Sequence, residues 1–130
     1  MIKGSCLCQS VQYSISGAVG DIIHCHCETC RKAHASAFSS VSRVEDGDFT
    51  MTHGQEMLKC YESSPGKFRY FCRVCGSQIY AKRENTQHVI LRLGTLDDDP
   101  EAKEVGHIWV SDKARWYTVT GDLPQHDTFN

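Results

Sequence analysis

No long apolar run occurs in this chain. A membrane-crossing helix needs about 20 apolar residues in succession; no stretch approaches that, and no membrane partner is expected. The opening Met1-Ile2-Lys3-Gly4-Ser5-Cys6 has no apolar segment behind a charged one and does not read as a signal peptide. The expected compartment is the cytoplasm, where thiols stay reduced. Positive charge is not in excess either: 14 Lys and Arg stand against 16 Asp and Glu, for a net charge of −2. Nucleic-acid binders usually show a basic stripe, so nucleic acid is not an expected partner. Also missing are an ordered Ser-His-Asp set, a phosphate-cradling glycine loop and paired catalytic carboxylates. No boundary, repeat or low-complexity segment divides the 130 residues, which suit a single domain, 1–130. A chain this short buries a modest core, so metal sites would help to hold it together.

What the chain does have is eight cysteines. In a reducing compartment they argue for metal before disulfides. Zinc is the first choice, because it takes thiolates readily and carries no redox chemistry. Cys6 and Cys8 form one chelating pair and Cys72 and Cys75 another, far apart in sequence. Together they supply the four thiolates of a closed tetrahedral site. Gly76 suits a knuckle turn in which backbone N–H groups face the sulfurs. This site reads as structural.

Cys25, Cys27 and Cys30 lie within six positions of one another and can converge without distant chain. Three ligands leave a tetrahedral ion one short. Cys60 could supply the fourth, although a lone cysteine in an apolar strand reads first as a small core residue. His34, four residues after Cys30, could turn back to the metal from a helix, whereas His26 inside the turn reads as facing away. Otherwise the position is open. An open three-thiolate zinc carries a net charge of −1 and is a weak Lewis acid, poorly suited to hydrolysis. A small thiol is a softer ligand and can be held as its reactive thiolate. Arg31 and Lys32 could then hold the thiol's carboxylates; the plainer reading is two solvated cations beside a knuckle.

Period-two alternation marks half-buried strands. It appears at Val11-Gln12-Tyr13-Ser14-Ile15 and at Lys67-Phe68-Arg69-Tyr70-Phe71. Further strands are expected at 49–52, 57–61, 79–81, 88–93 and 105–110, while 22–24 is a short apolar entry to the three-cysteine stretch and small and β-branched residues return from Phe38 to Val44. The 88–93 segment is apolar enough to be central. Ser63-Ser64-Pro65-Gly66 is a turn signal. Residues 31–37 could make one or two helical turns, residues 111–116 a turn or short helix, and the polar tail from Gly121 a surface wrap. Short strands at close spacing with little helix predict an all-β domain of short antiparallel strands around bound zinc.

The motifs Gly4-Ser5-Cys6-Leu7-Cys8, Cys25-His26-Cys27-Glu28-Thr29-Cys30-Arg31-Lys32 and Phe71-Cys72-Arg73-Val74-Cys75-Gly76-Ser77 together resemble the glutathione-dependent formaldehyde-activating enzyme family, which includes centromere protein V. Tyr61-Glu62-Ser63-Ser64, Gly94-Thr95-Leu96-Asp97 and His107 to Lys113 extend the likeness over nearly the whole chain. The resemblance implies a β-tent-like all-β fold with two zinc ions. One is structural at Cys6, Cys8, Cys72 and Cys75; the other faces substrate at Cys25, Cys27 and Cys30. It implies a carbon–sulfur lyase that adds glutathione to formaldehyde, giving S-hydroxymethylglutathione. Gln9 stands where the family usually has glycine, as does Ala35, and His34 beside Ala35 adds a candidate ligand.

Other residues invite plainer readings. His107 and Trp109 alternate with Ile108 and Val110 and read as strand packing before pocket lining. Trp116 and Tyr117 read as core or rim, Glu28 as a solvated turn carboxylate and Asp97 to Asp99 as a solvated turn. No acid–base group can be assigned. The expected function is a zinc-dependent lyase joining a small thiol to a small aldehyde. The alternative is a non-catalytic interaction module with two structural zinc sites.

Overall fold

A computed structural model of the chain describes residues 1–129. In chain order the elements are β1 (Ile2–Ser5), β2 (Gln12–Ile15), β3 (Ile22–Cys25), α1 (Glu28–His34), β4 (Ser39–Glu45) and β5 (Phe49–His53). They continue with β6 (Leu58–Ser64), β7 (Lys67–Cys72), β8 (Gln78–Arg83), β9 (His88–Arg92) and β10 (Glu104–Ile108). This is the expected all-β architecture with one short helix. No helix among the described residues is long and apolar enough to cross a membrane.

The strands form two sheets. The small sheet runs β1-β2-β5 and the large one β10-β3-β4-β9-β8-β7-β6. All strand pairs are antiparallel except β10 with β3, which is parallel. That exception follows from the route after β9. The chain crosses to the far edge of the sheet, and on the way Asp97 N–H donates to the Lys3 carbonyl at 2.8 Å, pinning the crossover to β1.

Alternation decides which face of the large sheet meets the core. In β9, Val89 and Leu91 turn inward with Val44 and Ile79, against Val11, Tyr13 and Ile15 of the small-sheet side. Burying each such side chain contributes about 1.5–3 kcal/mol. Tyr13 spans the layer, its hydroxyl 2.7 Å from Thr95 Oγ1. A Cβ at Gly4 would fall 2.2 Å from the Tyr13 ring, so only glycine lets β1 close over it. Cys6 and Cys72 belong to the same buried cluster, which places the first cysteine group at the base of the core.

The other face of the sheet carries the alternate residues. Register aligns Arg43 with Ile90, Ile90 with Ala81 and Ala81 with Arg69. One step along the strands, Lys67 stands opposite Arg83. This second face is basic and is the floor of the cleft described below.

The helix begins three residues before the expected 31–37 segment. Cys27 caps it: its Sγ accepts from Cys30 N–H at 3.3 Å. Ala35 closes it in the left-handed region at φ 51°. Glu28 in the first turn and Arg31, Lys32 and His34 in the last complement the helix dipole. The last strand stops at Ile108, short of the expected Val110, because Trp109 takes φ 56° and Val110–Asp112 form a 3-10 turn. The polar tail wraps the surface as expected. His107 N–H donates to the Pro124 carbonyl and His126 N–H to the His107 carbonyl, each at 2.9 Å, so the tail covers the β10 edge.

Candidate metal centres and the basic cleft

Two turns build the first cysteine group. Cys6 and Cys8 come from the turn after β1, Cys72 from the end of β7 and Cys75 from the turn that follows it. The sulfurs of Cys6 and Cys8 stand 3.7 Å apart, and those of Cys8 and Cys72 3.8 Å apart. Four sulfurs about 2.3 Å from one zinc ion at tetrahedral angles would stand about 3.8 Å apart, so this group fits a closed tetrahedral ion. Backbone donors face the sulfurs: Val11 N–H reaches Cys6 Sγ at 3.3 Å and Val74 N–H reaches Cys72 Sγ at 3.4 Å. Gly76, at φ 81°, completes the knuckle with its N–H on the Cys72 carbonyl.

Three adjoining pieces of chain build the second group. Cys25 ends β3, Cys27 caps α1 and Cys30 lies in its first turn. Their ligand atoms all lie within 4.8 Å of one another. Without a cation these thiols cannot ionise together. Hydrogen bonding from Cys25 holds Cys30 well below the usual thiol range, and hydrogen bonding with Cys27 pushes Cys25 well above it. A divalent ion would resolve that conflict.

No fourth His, Cys, Asp or Glu among the described residues joins this trio. His26 is fully buried and committed elsewhere, its Nε2 2.8 Å from His107 Nδ1. His34 stays out of the group; its Nε2 is buried with no hydrogen-bond partner, and burial lowers its pKa to about 4. Cys60 is exposed on β6, the edge strand of the large sheet. It is therefore not the small core residue that an apolar strand suggests.

The trio opens onto a cleft of about 490 Å³ across the basic face of the large sheet. Five cations line it: Arg43, Lys67, Arg69, Arg83 and Arg92. Among the described residues Asp112 is the one lining carboxylate, and Trp109 contributes an aromatic wall. Arg69 and Arg92 are nearly fully buried, at 3% and 4% exposure. Arg69 donates from Nε to Ser63 Oγ at 2.9 Å and from Nη2 to Cys30 Sγ at 3.7 Å. Its Nη1, and Nε and Nη2 of Arg92, have no hydrogen-bond partner among the described residues. Burial, then the Arg69 charge, lowers the Arg92 pKa to about 10. Buried charges persist when a counter-charge compensates them, and here the nearest is the thiol trio.

Arg31 and Lys32 do not line this cleft. Arg31 Nε donates to the Asp112 carbonyl at 3.2 Å. Lys32 is exposed, pairs with the solvated carboxylate of Glu28 at 3.4 Å, and lines an adjoining groove with Tyr61 and Phe71. Two of the cleft arginines nonetheless leave a signal in the sequence. Arg69 sits inside an alternating segment, and Arg92 ends a strand apolar enough to be central. A charge at either place asks for a buried partner. His107 packs as a strand residue on His26, as expected, whereas its neighbour Trp109 faces the cleft.

The model of the family described as glutathione-dependent formaldehyde-activating enzyme matches residues 1–112. The chain belongs to this family. Among curated proteins, one described as an uncharacterized lyase from Schizosaccharomyces pombe is 31% identical over 78 residues, 60% of this chain. The match spans 55% of that relative's length. Among solved structures, a crystal structure of a Rhodobacter sphaeroides protein superposes with a TM-score of 0.63 at 22% identity, covering 75% of this chain and 89% of the other. That likeness supports the fold of this glutathione-dependent formaldehyde-activating enzyme family member.

Proposed function

We propose that this protein is a cytoplasmic, zinc-dependent carbon–sulfur lyase that adds glutathione or a related small thiol to formaldehyde or a similar aldehyde. The observation that carries the reading is a three-cysteine site with no fourth protein ligand among the described residues, facing a basic cleft. Two zinc ions per chain are proposed: a structural one at Cys6, Cys8, Cys72 and Cys75, and a functional one at Cys25, Cys27 and Cys30. Bound at the trio, zinc would offer a soft fourth position that keeps a visiting thiol ionised.

The chain's own charges favour such a visitor. Three thiolates and a divalent ion sum to −1, and a bound thiolate brings the site to −2. The guanidiniums of Arg69 and Arg92 supply +2 beside it. A neutral water would leave that balance unmet. Arg43 and Arg83 stand free along the cleft to hold the thiol's carboxylates, and Asp112 can receive its ammonium group. Arg31 contributes through the Asp112 carbonyl, and Lys32 through the adjoining groove. Positioning the thiolate beside the carbonyl carbon is the main source of rate.

Exchange spectroscopy on a glutathione–formaldehyde mixture tests the reading. The zinc-loaded protein should speed formation of the hydroxymethyl adduct, and Cys27→Ser should remove the effect while the fold persists. A wild-type protein that binds two zinc ions yet leaves the exchange rate unchanged would point to the non-catalytic module.

A further inference from the structure

Four of the five cations lining the cleft are arginines, which stay charged throughout the physiological range. Lys67 is the one amine among them. It opens β7, partly buried, with Arg83 as its direct partner across the strand pair and Arg69 two positions along on the same face. Like charges directly opposite across strands destabilise each other. Among the described residues Lys67 forms no ion pair. A desolvated cation ringed by fixed cations favours its uncharged form. Burial first, then the Arg69 and Arg92 charges, lowers its pKa to about 8; Cys30 acts the other way, and Arg83 adds a smaller push downward.

We propose that Lys67 is a catalytic residue that captures the aldehyde covalently, in the same cleft as the cysteine trio. This rests on the reading that the cleft handles aldehydes. The uncharged amine attacks the carbonyl carbon, and a proton passes from nitrogen to oxygen to give a carbinolamine. The proton that the thiol sheds on ionising protonates the carbinolamine oxygen, and loss of water leaves an iminium at Lys67, a stronger electrophile than the hydrated aldehyde. The thiolate then attacks that carbon: a C–S bond forms and the C=N electron pair returns to nitrogen. A proton taken up on nitrogen stops this adduct from expelling the thiolate again. The amine then leaves as the free base, water adds to the carbon and gives back that proton, and the S-hydroxymethyl adduct and the free lysine are released. The water lost in the first half is regained in the second, so the sum is thiol plus aldehyde.

Lys67 is also one of seven lysines in the chain, which gives the test its internal controls. The zinc-loaded protein is incubated near pH 7 with carbon-13 formaldehyde and cyanoborohydride, and peptides are mapped by mass at timed intervals. Lys67, desolvated among the cleft arginines, should be methylated at least about tenfold faster than Lys32, which is exposed and paired with Glu28. Lys67→Arg should keep zinc content and glutathione affinity while the exchange rate falls about 10²-fold, the scale of one positioned catalytic group. Lys67→Gln serves if the arginine variant misfolds. Labelling of Lys67 no faster than Lys32, or wild-type exchange in a folded variant, would overturn the proposal and leave Lys67 a carboxylate grip. Rapid labelling of Lys67 in a protein that fails to bind glutathione would sustain the amine capture and sink the thiol reading instead.

Discussion

Arg69 reaches Cys30: its Nη2 lies 3.7 Å from the Cys30 sulfur, while Ser63 Oγ holds its Nε at 2.9 Å. A side chain from the middle of a strand thus addresses a sulfur in a helix 39 positions earlier in sequence. The contact ties the charge of the cysteine trio to the basic sheet face, and it makes the cleft electrostatically one object with the trio.

Replacing that guanidinium should therefore be felt at the ligand. Arg69→Met keeps the buried stem but removes the charge. It should weaken glutathione binding by about 1.5–3 kcal/mol, the scale of a hydrogen bond to a charged group. Titration calorimetry on the zinc-loaded protein reads the change; an unchanged affinity would disconnect the arginine from the visiting thiolate.

The two cysteine groups should fail differently. Cys6 and Cys72 lie within the core cluster, so Cys72→Ala should remove one zinc ion and unfold the domain. Cys27→Ala should also remove one ion, yet retain the strand content and a cooperative thermal transition. Elemental analysis and far-ultraviolet circular dichroism on both variants make the comparison. Matching collapse in both would mean that the trio too is structural.

The outer part of the cleft should discriminate thiols by charge. Arg43 and Arg83 have no ion-pair partners among the described residues. Converting either to glutamate should weaken glutathione about tenfold, since interactions with charged groups are worth about 1.5 kcal/mol or more. Binding of 2-mercaptoethanol, which lacks carboxylates, should not change. Equal losses for both thiols would assign the arginines a structural role.

Two backbone positions carry strain that glycine would relieve. Gln9 at φ 65° and Ala35 at φ 51° are both exposed and left-handed. Residues with a Cβ pay about 1–2 kcal/mol in that region. Gln9→Gly and Ala35→Gly should each stabilise the fold by about 0.5–1 kcal/mol after the unfolded-state entropy of glycine is counted. Higher thermal midpoints for both variants would bear this out, and lower ones would refute it.

Acid should weaken the fold through two buried imidazoles. Burial lowers both His26 and His34 to about 4, against an unfolded value near 6.5. Between those values the unfolded chain binds more protons than the folded one, so stability is full above about pH 6.5 and falls as pH drops toward 4. Urea midpoints for His34→Gln should fall less steeply over that window than those of the unaltered protein. Parallel slopes would remove His34 from the account.

The fold was largely legible because short alternating strands declare themselves locally. The first cysteine group was legible because two paired motifs sum to four ligands. Even the strained turns showed, since Gln9 and Ala35 stand where the family favours glycine. What escaped was whatever depends on register. Arg43, Lys67, Arg69, Arg83 and Arg92 come from four strands, and nothing in their separate segments says that they face one cleft. The cations nearest in sequence to the trio, Arg31 and Lys32, instead turn to Asp112 and Glu28. The start of α1 shifted because a cysteine, an uncommon cap, took the capping position.

Zinc-edge X-ray absorption, recorded on the zinc-loaded protein before and after adding glutathione, bears most directly on the fourth position at the trio. The account predicts two zinc environments at first, one with four sulfurs and one with three sulfurs and a light atom. Saturating glutathione should convert the second to four sulfurs. Full sulfur or imidazole coordination at both ions before the thiol is added, or no change on adding it, would contradict the account.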